Sequence, residues 1–386
     1  MSDLFLYVQH LLGIGHLRRA AALANACAAR GLSVTLASGG RPVANLGLAA
    51  GVALLQLSPY TVRPAEFTRL LTAEGEEADE AYRAERLQSL LQGFREAAPK
   101  LLMTELFPFG RRQLRHELLP LLEEAKGRRN PPRILCSLRD ILQQRKEKRR
   151  QESLDWALRY YDRVLVHGDQ SLIPLERSFP EARALEERLI YTGYIAQTSP
   201  PQRASQERSG VIVSCGGGAV GRRLLDCALE VCRHRGPALG DWHFLVGEQA
   251  AEDRLSALRE GLPAWAKVEA NRPDFHALLA GAYLSISQAG YNSVVDLLQA
   301  DVPAVLVPYA ADGETEQPMR AGLLGRFAGF AVVSEEMLTP GRLDDAIGAA
   351  LDGTGKPARP PVDLSGAERS ATLLAHALEE AQAHAV

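Results

Sequence analysis

The chain has 386 residues, 46% hydrophobic and 24% charged, enough for two domains with cores of their own and ordinary for a globular protein. A formal net charge of −3 gives no electrostatic basis for bulk nucleic-acid binding. The five cysteines (Cys27, Cys136, Cys215, Cys227 and Cys232) form no Cys-x-x-Cys pair, which speaks against a zinc site or a disulfide framework and fits a reducing cytoplasm.

No basic segment followed by a long apolar run opens the chain, so no signal peptide is expected. No stretch nears the roughly 20 apolar residues of a membrane-crossing helix. The expected location is cytoplasmic, with peripheral contact at the inner membrane surface left open. From the start, LFLYVQ (4–9) reads as a buried strand, and GIGHLRR carries it through a Gly-x-Gly turn into a helix over 16–30. SVTLA (33–37), ALLQL (53–57), LLMTE (101–105), RILCS (133–137) and RVLVH (163–167) read as further buried strands, separated by helical patterns. Such alternation predicts a doubly wound parallel sheet. EGEEADEAYRAERLQSLLQGFREAAPK reads as a charge-rich inserted helix.

TGYIAQTSPPQRASQERSG, rich in Pro, Ser, Gln and Arg, breaks the pattern. It separates a first domain, 1–195, from a second, 209–386, through a linker at 196–208. After it come VIVSC, WHFLVG, KVEA, YLSIS and AVLVP, each strand-like and followed by a helix or loop. Two such α/β domains imply a cleft lined by the carboxyl ends of their strands, where open sheets bind ligands.

VIVSCGGGAVGRRLLD places Gly216, Gly218 and Gly221 in a G-x-G-x-x-G pattern between strand and helix, where backbone approaches a pyrophosphate. A plain turn is the alternative. A dinucleotide is another, with Glu248 as the acidic residue after the next strand. YLSISQAGYNSVVDLLQADVPAVLVPYAADGETEQ adds small polar residues at a helix start: Gly290, Asn292 and Ser293 suit phosphates. Asp296 one turn in suits ribose hydroxyls, and Glu316 with Gln317 suits the hydroxyls of a sugar.

This half resembles the donor-binding domain of GT-B glycosyltransferases, most of all the family 28 N-acetylglucosaminyltransferases of peptidoglycan synthesis. In that family a glycine loop, an S-G-A-x-T-x-x-E helix and a loop with paired glutamines hold a UDP-sugar. The resemblance implies that Gly216, Gly217 and Gly218 meet the donor phosphates, Asp296 the ribose, and Glu316 and Gln317 the sugar. Here Ser-Gly-Ala is replaced by Gln-Ala-Gly-Tyr, Glu by Asp296, and the first glutamine by Glu316. In the N-terminal half, Gly13-Ile14-Gly15-His16 resembles the family's Gly-Gly-His loop, and Gly13 and Gly15 are assigned with the phosphate-binding set. The form G-x-G-H-x-x-R, completed by Arg19, is also similar to a UDP-sugar hydrolase of pseudaminic acid synthesis.

The implied fold is GT-B, two Rossmann-like domains. The implied activity is metal-independent, inverting transfer of a sugar from a UDP-linked donor, without a cofactor, to a small-molecule or lipid-linked acceptor. Alternatives are a nucleotide-sugar hydrolase, in which water replaces the acceptor, and a non-catalytic nucleotide-sugar binding protein. His16 is the candidate base, its imidazole held neutral by the helix start. Glu105 either orients His16 or acts as the base itself. His10, Arg139 and Asp140 are candidates for the acceptor side, packing or a local ion pair being the alternative. QQRKEKRRQE (143–152) reads as a solvated helix face, or as a membrane-surface patch if the acceptor is a lipid.

Overall fold

The computed structural model describes residues 2–63, 66, 69–196, 208–215, 221–247, 258–270, 272, 274–359 and 361–383. The calls at Gly216, Gly217, Gly218 and Glu248 fall outside these described residues. The chain forms two compact units, Met1–Ile195 with Asp363–Val386, and Ala196–Val362.

The first unit is built on a seven-stranded sheet in the order β3-β2-β1-β4-β5-β6-β7, every pairing parallel. The strands are β1 Leu4–Val8, β2 Val34–Ser38, β3 Val52–Gln56, β4 Leu101–Glu105, β5 Arg133–Arg139, β6 Arg163–His167 and β7 Leu189–Tyr191. Helices α1 Gly15–Ala29, α2 Glu80–Ala97, α3 Arg115–Lys126 and α4 Glu147–Tyr160 join them. β1 explains why its sequence is apolar without alternation: Phe5 and Tyr7 pack into one core cluster, Leu4, Leu6 and Val8 into another. A strand covered on both faces has no polar side. The charge-rich helix is α2, started by the Asp79 side chain accepting the Tyr82 N–H.

The second unit holds a six-stranded parallel sheet in the order β10-β9-β8-β11-β12-β13. Its strands are β8 Val211–Ser214, β9 Trp242–Val246, β10 Ala266–Ala270, β11 Leu284–Ser287, β12 Ala304–Leu306 and β13 Phe330–Val332. Its helices include α5 Arg222–Arg235, α6 Phe275–Gly281, α7 Tyr291–Ala300, α8 Glu316–Leu324 and α9 Pro340–Asp352.

The C-terminal segment corrects the sequence-based domain division. Residues 363–386, expected in the second domain, belong to the first unit. Helix α10, Gly366–Ala383, buries Ala371 and Leu374 in the cluster formed by Leu17, Ala20, Ala21, Leu23 and Ala24 of α1. The returning chain is laced to the segment after β7: Tyr194 donates to the Asp363 carbonyl at 2.7 Å, and the Gly366 N–H to the Tyr194 carbonyl at 3.0 Å. A Cβ at Gly366 would stand 2.4 Å from the Gly193 oxygen, so only glycine permits this approach.

Candidate functional site

In each sheet the chain runs outward on one side and then restarts on the other, so each has one switch point. The first lies between β1 and β4, the second between β8 and β11. Carboxyl ends of strands at a switch point are where open α/β sheets bind ligands.

At the first switch point Tyr7 pairs in register with Thr104, which sets the residues after β1 beside Glu105, the last of β4. His16 stands in the first turn of α1, a helix start with no side-chain cap and no acidic residue. Its Nδ1 lies 2.9 Å from both carboxylate oxygens of Glu105. Arg19, one turn along, ion-pairs with Glu105 Oε1, and its Nη2 is 3.3 Å from His16 Nδ1. Glu105 is 1% exposed and His16 14%. A buried carboxylate facing Nδ1 fixes the tautomer: Nδ1–H donates to Glu105, and the lone pair is left on Nε2. Burial lowers the pKa of the His16 imidazole to about 3, against the raising effect of Glu105, and Arg111 and Arg139 add to the lowering. Burial raises the Glu105 carboxyl, but His16, Arg19 and Arg111 outweigh it and hold the group well below the usual carboxylate range. The arrangement is a neutral imidazole oriented by an ionised carboxylate, which suits it to accept a proton at Nε2. Both Glu105 oxygens lie within 2.9 Å of His16 Nδ1 and one also pairs with Arg19, a placement that suits the carboxylate to orienting the imidazole.

Three contributors lack a role in the sequence reading. Arg19 appears there only as the end of a motif. Arg111 adopts a left-handed backbone (φ 56°) in the loop after β4 and donates from Nε to the Gln9 carbonyl at 3.1 Å. His167 ends β6 with no exposure, hydrogen-bonded to Ser137 Oγ at 2.9 Å and Thr192 Oγ1 at 2.8 Å. A polar residue closing an apolar strand was the available signal for it. Burial lowers its pKa to about 3, with Arg19 adding and Glu105 opposing. Between about pH 3 and 6.5 the unfolded chain therefore binds a proton at His167 that the folded chain does not. Its contribution is complete above about 6.5 and is lost as the pH falls toward 3, at about 1.4 kcal/mol per pH unit. Urea titrations at pH 7 and 5 are expected to show this loss, and His167→Gln a shallower one; identical slopes would refute the assignment.

The other acceptor-side candidates separate. Asp140 is fully buried, accepting from the Tyr194 hydroxyl at 3.2 Å and the Ile141 N–H at 2.9 Å. His10 is 4% exposed, its Nε2 is 3.0 Å from the Arg41 carbonyl, and burial lowers its pKa. Arg139 ends β5, in register with His167 and half-buried. Gly13 is exposed in the loop before α1, and Gly15 is the first residue of that helix. In the basic run, 144–149 are exposed, Arg150 pairs with Glu181 at 2.8 Å, and helix α4 begins only at Glu147, so 143–146 precede it.

At the second switch point Ser214 and Ser287 end β8 and β11 in register. Gly290 is the N-cap of α7, whose first turn holds Asn292 and Ser293, has no acidic residue and no side-chain cap. Asp296 lies one turn further, 7% exposed. Glu316 opens α8 and is 4% exposed. Gln317 Oε1 accepts the backbone N–H of Ala289 at 3.2 Å and of Tyr309 at 3.1 Å. Arg320 donates to the Ala289 carbonyl at 2.9 Å. Both side chains tie α8 to the 288–290 turn.

Residues 243–366 match the glycosyltransferase family 28 C-terminal domain. The UDP-N-acetylglucosamine–N-acetylmuramyl-(pentapeptide) pyrophosphoryl-undecaprenol N-acetylglucosamine transferase of Rhodopseudomonas palustris (strain BisB18) is 29% identical over 160 residues, 40% of this chain and 42% of that protein. The protein of the same name from Xanthomonas axonopodis pv. citri (strain 306) is 31% identical over 160 residues, 40% of this chain and 37% of that one. The chain thus spans about two-fifths of the length of the curated relatives it matches. Among solved structures, the calicheamicin glycosyltransferase CalG4 is similar with a TM-score of 0.61 at 15% identity, covering 99% of this chain and 98% of that one. MurG of Acinetobacter baumannii gives 0.56 at 15% identity, covering 99% of both. The Phytolacca americana UGT2 complex with UDP-2fluoro-glucose and pterostilbene gives 0.62 at 15% identity, covering 99% and 95%.

The fold is GT-B. Its two Rossmann-like units each carry motif residues at their switch point, and the family 28 match covers α7 and α8 with Asp296, Glu316 and Gln317. Among the described residues, no helix is long and apolar enough to cross a membrane.

Proposed function

We propose that this chain transfers a sugar from a UDP-linked donor to an acceptor hydroxyl with inversion, His16 acting as general base. The observation that carries the reading is the His16–Glu105 pair at the first switch point, which leaves Nε2 as the acceptor of a proton. The family 28 match over 243–366 and relatives named as UDP-N-acetylglucosamine transferases support the donor class. The acceptor oxygen attacks the anomeric carbon as its proton passes to Nε2. The bond from that carbon to the phosphate oxygen breaks, and its electron pair leaves with UDP. Backbone N–H groups at the start of α7 stabilise the diphosphate charge, and the Asp296 carboxylate accepts from the ribose hydroxyls.

The acceptor belongs to the small-molecule or lipid-linked hydroxyl compounds, and a lipid-linked one implies work at the inner membrane surface. UDP release from a panel of UDP-sugars, with and without candidate acceptors, tests the reading. Slow release alone and a large acceleration by one acceptor, with an inverted glycoside as product, is the expected result. Rapid formation of free sugar without acceptor makes water the nucleophile and the protein a hydrolase. On the donor side, Asp296→Ala is expected to weaken UDP binding by about 1.5–3 kcal/mol, the scale of a hydrogen bond to a charged group. Calorimetric affinity equal to the parent's would remove Asp296 from the ribose.

A further inference from the structure

A buried histidine against a carboxylate has two resting states. Either the imidazole stays neutral, or it takes a proton and forms an imidazolium–carboxylate pair. Only the first can serve as a base, and an isolated Glu105 would favour the second. Burial, Arg111 and Arg139 push toward the neutral form, and Arg19 adds a cation in direct contact with the carboxylate. Arg19 is 5% exposed, ion-pairs with Glu105 Oε1 and comes within 3.3 Å of His16 Nδ1. Its position is set by helix geometry, since residues three apart in α1 share a face.

We infer that Arg19 is a positioning residue: by pairing with Glu105, its guanidinium keeps His16 in the neutral Nδ1–H tautomer with Nε2 available to take a proton. The guanidinium balances the carboxylate charge that would otherwise hold a proton on the imidazole. The carboxylate still accepts from Nδ1–H, so orientation survives while basicity is tuned down. The groups acting on this pair from the surrounding elements are Arg19 of α1, Arg111 of the loop after β4, Arg139 and Cys136 of β5, and His167 of β6. Arg19 and Arg111 are cations acting on the carboxylate, Arg139 acts on the imidazole, and Arg19 ion-pairs with Glu105 directly. The inference deepens the proposed base role of His16 and rests on it for its catalytic consequence.

The test uses the full chain labelled with ¹⁵N-histidine, and the variants Arg19→Met, Arg19→Gln and Arg19→Lys. Ring nitrogen spectra report tautomer and protonation directly, without any substrate. The parent and Arg19→Lys are expected to show His16 neutral and Nδ1-protonated from pH 8 down to about 5.5. In Arg19→Met and Arg19→Gln the His16 ring is expected to become cationic below about pH 7, near or above an unperturbed imidazole. UDP release by these two is then expected to be about tenfold slower at pH 6 than at pH 8, a difference absent from the parent and from Arg19→Lys. If either neutral variant folds and its His16 stays neutral at pH 6, the inference is overturned. A parent that turns over no nucleotide sugar would defeat the proposed function while the spectra still decide the role of Arg19.

Discussion

Replacing His16 with alanine is expected to slow sugar transfer by about 10²–10⁴-fold, the usual contribution of a positioned general base. The loss is expected in kcat, with UDP affinity within error of the parent, because the family 28 match lies at 243–366 and His16 belongs to the other unit. The fold is expected to survive, since His16 is partly exposed and its contacts are polar. UDP release under saturating donor, combined with calorimetry, separates the two effects. A His16→Ala variant with parental turnover would refute the mechanism, whichever nucleophile the reaction uses.

The second large effect concerns stability. Arg86 of α2 and Glu117 of α3 have no exposure, and Arg86 Nε lies 2.8 Å from Glu117 Oε2. Arg86 also reaches Gln9 Oε1 at 2.9 Å and the Gly39 carbonyl at 3.1 Å, while the Tyr7 hydroxyl donates to Glu117. The network thus ties two helices to the ends of β1 and β2. Removing one member strands a buried charge, so Arg86→Met is expected to destabilise the protein by about 3–5 kcal/mol. The double variant Arg86→Met with Glu117→Met is expected to recover a large part of that loss, since no charge remains buried. Urea denaturation checks both. A double variant as unstable as the two single losses summed would show that the pair does not act as a unit.

The parallel sheets were legible because strands buried on both faces read as continuous apolar runs, as LFLYV does. β7 and β13 escaped notice: each has three residues, and neither is buried throughout as the equally short β12 is. The C-terminal helix was misassigned because the apolar face of α10 fits either unit by composition. Tertiary contacts show which one it joins: Ala371 and Leu374 packed against α1, and the close crossing at Gly193 and Gly366.

His16 stood out because a histidine after a Gly-x-Gly turn is chemically unexpected. That Arg19 and His167 bear on it was not legible. Glu105 lies 86 residues from Arg19, and their contact depends on β4 lying next to β1, a strand order that local sequence does not encode. The partner of Asp140 was hidden for the same reason: it follows a strand end, and the Tyr194 hydroxyl that it accepts from lies 54 residues away.

Titration calorimetry of the full chain with UDP, UMP, GDP, dTDP and NAD tests most directly the claim that this protein takes a UDP-linked donor. One saturable UDP site per chain, weaker with UMP for lack of the second phosphate and weaker again with NAD, is the predicted result. NAD bound more tightly than any nucleoside diphosphate, or no heat with UDP at any concentration, would contradict it.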